Sequence, residues 1–313
     1  MQLAKSAMLV SANIVNGGLL GERRDNVASL LVENTYNTAH RRTKASKYLI
    51  DRKHKSVKQV LAVSQRVREV IYRYTMPWGD DNSRLLSVKL LETFREKLNP
   101  AIMDLNEARE NYIQHYPALV AASERDLGEL FDRSQYPSAD QIRGLFTTKV
   151  SYWPIPESNN FIAEISAEAT KEAKEGIERE IEQRLLEATY DMVKRAKEVV
   201  STYVDRLERF QPADDDNGTI QQGAFRDSLV GNVRQTANLI ERMNMTNNPQ
   251  INKVVLDLKR LSGFAAWALR KRTGIRNQAL SAGKEVLINL TMLDLKDQEV
   301  SDMVADTSDY MDM

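Results

Sequence analysis

Residues 166–210 read SAEATKEAKEGIEREIEQRLLEATYDMVKRAKEVVSTYVDRLERF. Apolar residues recur at Ala169, Ala173, Ile177, Ile181, Leu185, Ala188, Met192, Ala196, Val199, Tyr203, Leu207 and Phe210, in steps of three or four. That is helical periodicity held over about a dozen turns. The stretch predicts one amphipathic helix capped at Ser166 and roughly 65 Å long. A stripe of that length exceeds what one small domain covers. Helices of the same chain are expected to cover part of it and a second copy the rest, in coiled-coil fashion. Ile177, Ile181, Leu185, Met192, Val199, Tyr203 and Leu207 are the candidate oligomer face.

Upstream of this helix, Phe146 to Trp153 reads as a strand ended by Pro154 and Pro156, with 160–165 as a short return strand. Near the amino terminus Met8, Val10, Ala12 and Ile14 alternate with Leu9, Ser11 and Asn13, a second strand, expected to pair with 147–153. Asp25 is a good N-cap for a helix, and Ser138 another, for a short helix over 139–145. From Lys44 a basic helical pattern strengthens, with Val57, Val60, Leu61, Val67, Val70, Ile71 and Tyr74 on one face, and it must stop before Pro77. Residues 76–82 predict a turn with Trp78 as an apolar anchor beneath it. A helix over 87–115 should break or kink at Asn99, before Pro100, and another should follow Tyr116-Pro117, over 118–131.

The acidic stretch 212–223 predicts a linker and the best domain boundary. Beyond it lie two helices, 225–245 and 251–271, broken at Asn247-Asn248-Pro249, and a third over 275–293 that Gly283 could interrupt. Residues 294–313 hold seven acids and one lysine, a flexible acidic tail by composition. The expected organisation is therefore a helical domain with a small sheet and the long helix at 1–211, a helical region at 224–293, and the tail. The expected fold class is mainly α (α+β): a helical bundle with a small antiparallel β-sheet.

Composition excludes more than it assigns. The chain has no cysteine, which removes disulfides and thiolate metal sites. His40, His54 and His115 lack metal-ligand spacing, so no metal is expected. No P-loop closes on Gly17-Gly18-Leu19-Leu20-Gly21, Gly283-Lys284 is followed by Glu285, and no serine sits in a nucleophile elbow. The expectation is a protein with no cofactor and no catalytic residues. The longest apolar run, Phe264 to Leu269, is too short to span a bilayer, and the first residues lack the core and cleavage site of a signal peptide.

The net charge of zero hides an asymmetry: residues 1–75 carry 14 Lys and Arg against 5 Asp and Glu. Arg41, Arg42, Lys44, Lys47, Arg52, Lys53, Lys55, Lys58, Arg66 and Arg73 form the candidate polyanion-binding set, with Tyr48, Tyr72 and Tyr74 interleaved. A solvated helix with its tyrosines turned to the core explains the same pattern. The acidic tail has the opposite sign, so it could occupy this basic segment and compete with nucleic acid there.

Three stretches carry a family resemblance: Tyr74-Thr75-Met76-Pro77-Trp78-Gly79-Asp80-Asp81 with Arg84-Leu85-Leu86; Tyr116-Pro117-Ala118-Leu119-Val120 with Leu127-Gly128-Glu129-Leu130-Phe131; and Gln135-Tyr136-Pro137-Ser138 with Ile142-Arg143, Phe146 and Val150 before Pro154-Ile155-Pro156. In this order and spacing they resemble an uncharacterised family of tailed-phage, prophage and plasmid proteins with an L-P-W-x-D, R-L-L, N-Y-P, L-G-x-L-F, Y-P-S, P-V-P pattern. Met76 and His115 depart from it, and Ser87 stands where the family often has proline. The resemblance covers roughly residues 6–200. It implies no catalytic residue, and the cytoplasm of an infected bacterial host as the setting. Genes of that family often lie near those of AAA+ ATPases and von Willebrand A-type proteins, which implies a protein partner in an ATPase-driven assembly. The motif residues are helix stops and aromatic–proline anchors, which read as fold determinants. The first functional expectation is a non-enzymatic structural or adaptor protein that self-associates and engages such a partner. The second is a DNA-binding protein of phage replication or recombination, with segment 41–73 on the nucleic acid and the tail regulating it.

Overall fold

The computed structural model describes residues 3–17, 20–39, 42–79, 82–156, 167–211 and 226–308, with backbone alone for 294–308. In chain order the elements are β1 (Ala7–Asn16), β2 (Glu22–Asp25), α1 (Asn26–Tyr36), β3 (Ala45–Tyr48), α2 (Lys55–Tyr74), β4 (Met76–Pro77), β5 (Arg84–Ser87), α3 (Leu91–Leu127), α4 (Ala139–Leu145), β6 (Phe146–Trp153), α5 (Ala167–Glu208), α6 (Ser228–Met243), α7 (Pro249–Leu261), α8 (Ala266–Lys271) and α9 (Thr273–Ser308). The fold is mainly α, with a long central helix and a small antiparallel sheet. The sheet order is β4-β5-β1-β6, so the two strands expected to pair, β1 and β6, are neighbours. The return strand at 160–165, the cap at Ser166 and the linker at 212–223 lie outside the described residues.

The chain forms two compact units, one of Met1–Val10, Tyr74–Leu91 and Tyr152–Met313, the other of Ser11–Arg73 and Glu92–Ser151. This division does not follow the linear boundary expected at 212. The helices after the linker belong with α5 because α9 packs along it.

In the first unit, β1 and β5 are antiparallel, with Met8 opposite Leu86 and Leu9 opposite Leu85, and β4 extends the hairpin through Met76 opposite Leu85. The turn between β4 and β5 uses positive φ at Gly79 and Asn82, the conformation glycine and asparagine adopt most readily. Trp78 is buried beneath it at 2 % exposure, as expected of an anchor. The α5–α9 pair is antiparallel: Arg276 lies over the Phe210 ring at 5.2 Å, and one to two turns on Gly283 meets Val204 and Tyr203. A Cβ on Gly283 would stand 2.9 Å from Val204 Cγ2. The glycine does not interrupt α9; it lets the two helices approach. The α6–α7 turn is built from asparagines: Asn248 caps α7 through Gln250 N at 2.9 Å, Pro249 follows at the first helical position, and Asn244 binds Asn252 Oδ1 at 2.8 Å.

In the second unit, Asp25 caps α1 by accepting from Ala28 N at 2.9 Å, and Ser138 and Gln141 form a reciprocal capping box on α4. Arg109 of α3 is buried and ties strand ends together. It donates to Thr148 Oγ1 at 2.7 Å, Val15 O at 3.0 Å, Asn16 Oδ1 at 3.1 Å and Thr147 O at 3.1 Å. The motif residues Tyr116, Leu119, Tyr136 and Ile142 are buried here, and Tyr136 donates to Leu49 O at 2.8 Å. Burial pushes the Tyr116 hydroxyl up to about 12.

Three expectations fail, each for a tertiary or cooperative reason. Segment 44–54 is not helical: β3 pairs with β2, Arg23 opposite Lys47, and the helix starts only at Lys55. Neither Pro100 nor Pro117 breaks α3. Both prolines sit on its exposed face, while Leu98, Ala101, Leu105, Ile113, Tyr116 and Leu119 pack inward on either side. That burial outweighs the roughly 3 kcal/mol that a proline costs a helix interior. The acidic tail does not begin as an irregular segment at 294, because α9 stays helical to Ser308. Its Leu295, Lys296, Gln298, Glu299, Met303 and Ala305 are good helix formers, and propagation from a long packed helix needs no new nucleus. Residues 309–313 lie outside the described residues.

Candidate functional site

The candidate oligomer face divides in two. Met192, Tyr203 and Leu207 are buried within the chain's own unit. They therefore cannot serve a second copy, and the reading of all seven residues as one interface is corrected. Val199 is half-buried, and its neighbour Val200 takes the core position. Ile177, Ile181 and Leu185 remain half-buried. From Ala173 to Arg184 the helix borders a groove of about 400 Å³ lined by Trp78, Pro156, Ala173, Ile177, Ile181 and Arg184. Its floor is apolar, and its rim carries Glu180 and Arg184, ion-paired at 2.6 Å. The Arg184 guanidinium also lies 5.7 Å from the centre of the Trp78 ring. Arg195, three turns further on, donates to Thr75 O at 2.8 Å and so holds α5 against the β4 edge.

The candidate polyanion set is dispersed over several elements. Arg42 and Lys44 precede β3, Arg52 and Lys53 lie in the turn before α2, and Lys55, Lys58, Arg66 and Arg73 lie exposed along α2. Arg41 lies outside the described residues. Lys47 is not available to a ligand: its ammonium is 2.7 Å from Asp25 Oδ2, with both side chains under 10 % exposed. The Lys47 hydrogen bond holds the Asp25 carboxyl below its usual range, helped by the Ala28 amide. Sequence spacing could not reveal this pairing, because it depends on the β2–β3 register. Arg66 pairs with Asp104 at 3.2 Å on the surface, where such a pair contributes little. Tyr48 and Tyr72 are exposed, and Arg52 stands 5.2 Å above the Tyr48 ring. These two tyrosines do not turn to the core.

One surface had no counterpart in the sequence reading. On α1 the buried residues are Ser29 and Glu33, while Val27, Leu30 and Leu31 are exposed. The signal was present, since 29 and 33 stand one turn apart opposite an apolar ridge. Periodicity alone does not say which face of a helix points inward.

Among the described residues no three His, Asp or Glu side chains come together as a metal site, and no helix is long and apolar enough to cross a membrane. His54 and His115 do meet, with ring centres 5.6 Å apart. His54 Nδ1 is engaged with Ser56, and His115 Nδ1 donates to Asn111 O at 2.8 Å. The motif residues Trp78, Leu85, Leu86, Tyr116, Leu119, Tyr136, Ile142 and Ile155 are all buried, which makes them core determinants. No family model, no curated protein and no solved structure matches this chain.

Proposed function

We propose that the protein is a non-enzymatic structural or adaptor protein of a tailed phage or related element, acting in the cytoplasm of the infected bacterium, which self-associates through α5 and engages a protein partner. The carrying observation is the half-covered stretch of α5, where Ile177 and Ile181 border an apolar groove beside Trp78 and Leu185, one turn on, is half-buried. The occupant is a second copy of the same helix. Apolar residues spaced by four along 169–185 form a ridge suited to a crossing of about 50°, not a straight coiled-coil seam. With Ile181 at the centre of an antiparallel crossing, Ile177 of one copy meets Leu185 of the other, so the apolar ridge is complementary to itself. An AAA+ ATPase as the further partner rests on the family resemblance alone.

Light scattering across a concentration series tests this reading. The native chain should be dimeric, and Ile181→Lys should shift it to monomer with stability changed by about 1 kcal/mol or less, as expected for a substitution outside the core. A compact monomer at every concentration would overturn it.

A second reading keeps nucleic acid as ligand. The exposed Lys55, Lys58, Arg66 and Arg73 of α2, near exposed Tyr72, support it. Salt-dependent retention on DNA, lost in a Lys55→Glu, Lys58→Glu double variant, separates the two readings.

A further inference from the structure

α1 is mounted with its polar side inward. Val27, Leu30 and Leu31 stand at i, i+3 and i+4 and are 70 %, 47 % and 64 % exposed, while Ser29 and Glu33 are buried. A surface helix ordinarily buries its apolar stripe. Here the inward face is held by polar bonds. The Ser29 hydroxyl donates to Asp25 O at 2.6 Å and accepts from Ala45 N at 2.9 Å, fastening α1 to β3. Rotating the helix to bury the leucines would break both bonds and carry Ser29 and Glu33 outward.

Exposed cations lie close to the ridge in the chain. Arg23 and Arg24, which alternate to opposite faces of β2, immediately precede the α1 cap Asp25, and Arg42 stands before β3. Of the nearby acids, Asp25 pairs with Lys47 and Glu33 is buried, which leaves Glu22, exposed and accepting from Ser46, against three exposed arginines. A contiguous apolar ridge with cations close by selects an apolar, acidic helix. The chain itself carries one. Residues 294–313 hold seven acids and one lysine, and within them Val300, Met303 and Val304 repeat the i, i+3, i+4 spacing of the α1 ridge. The backbone there is helical to Ser308.

We propose that the acidic end of α9 from a second copy docks on the α1 ridge, Val300, Met303 and Val304 against Val27, Leu30 and Leu31. The contact is heterologous, one end of a copy on a different surface of the next. It therefore builds rings or open chains, whereas a symmetric α5 contact stops at a dimer. It does not depend on the α5 contact.

The test adds a fluorescent synthetic peptide of residues 290–313 to the full-length protein at low salt and follows its anisotropy. Saturable binding is expected, weakened at least tenfold by raising salt to about 0.5 M, because screening acts on exposed charges. Leu30→Asp with Leu31→Asp should abolish it. Both positions are exposed, and circular dichroism checks that the variant is folded. Arg23→Glu with Arg24→Glu should also abolish it, and a peptide with Asp297→Lys and Glu299→Lys, the acids flanking Val300, Met303 and Val304 on a helix, should restore binding to that variant. Ile181→Lys protein should bind the peptide as the parent does, which separates this surface from the α5 contact. Absence of binding at low salt, or binding indifferent to positions 30 and 31, would overturn the proposal. So would binding of phosphatidylglycerol vesicles through the same residues with no binding of peptide, which would assign the ridge to a membrane surface.

Discussion

The two halves of α5 carry the same apolar rhythm and meet different fates. From Ala188 onward Met192, Val193, Ala196, Val200, Tyr203 and Leu207 are buried, whereas in the first half Ala173, Ile177, Ile181 and Leu185 are only half covered. Charge does not separate them, since acids and bases are interspersed along both. The difference lies in what packs against each. The second half has α9 against it, locked by Gly283 on Val204 and Arg276 on Phe210, and Lys284 pairs with Glu208 at 2.6 Å. The first half has the Trp78 turn at one side of a groove. An apolar stripe therefore states that a helix has a face to bury, and its partners decide how much of that face is buried within one chain.

The largest effect that would sharpen this contrast is expected at Val200, which is fully buried. Val200→Asp places an unpaired carboxylate in the core and should cost about 4 kcal/mol or more in chemical denaturation, enough to unfold a typical domain. The matched Ile181→Asp in the open half should cost about 1 kcal/mol or less and act on association. Equal losses at the two positions would erase the distinction.

A smaller effect is expected at the α5–α9 approach. Gly283→Val would drive carbon atoms into Val204 and Tyr203, where a Cβ alone would already stand 2.9 Å from a β-branched neighbour. Overpacking of this kind costs about 1–3 kcal/mol. It should exceed the roughly 1 kcal/mol gained by removing a glycine from a helix. The melting temperature should fall.

The smallest effect has the opposite sign. A Cβ added at Gly176, in the open half, would meet no heavy atom within 4 Å. Gly176→Ala should therefore stabilise the protein by about 0.5–1 kcal/mol, the helix preference with nothing to oppose it. A loss of stability there would mean that the first half of α5 is packed as closely as the second.

Local signals were legible wherever one or two neighbouring residues suffice. Asp25 capping α1, Ser138 capping α4, the break between two helices at Asn247-Asn248-Pro249 and a strand through Met8–Ile14 all stand as the sequence implies. Trp78 as an anchor is of the same kind. Signals that require a judgement between a local preference and a distant contact misled. Pro100 and Pro117 argued for helix ends, but burial on the opposite face of α3 carried the helix through. Gly283 looked like a break and is a point of close approach.

The candidate surfaces divide along the same line. That Lys47 is taken by Asp25 follows from the register of β2 on β3, a pairing across more than twenty residues. That Val27, Leu30 and Leu31 face outward follows from where Ser29 finds its hydrogen bonds.

By itself the sequence determined the helix-rich class, the long helix and its apolar stripe, the caps and turns, and the charge contrast between the first quarter and the carboxyl-terminal segment. Each of these depends on backbone geometry and neighbours within a turn or two. Only the tertiary structure decided which half of α5 is covered, which side of α1 is turned in and which cations remain exposed. Those outcomes depend on which distant segments win the competition to pack and pair, and periodicity is blind to that competition because it records the existence of a face and not its direction.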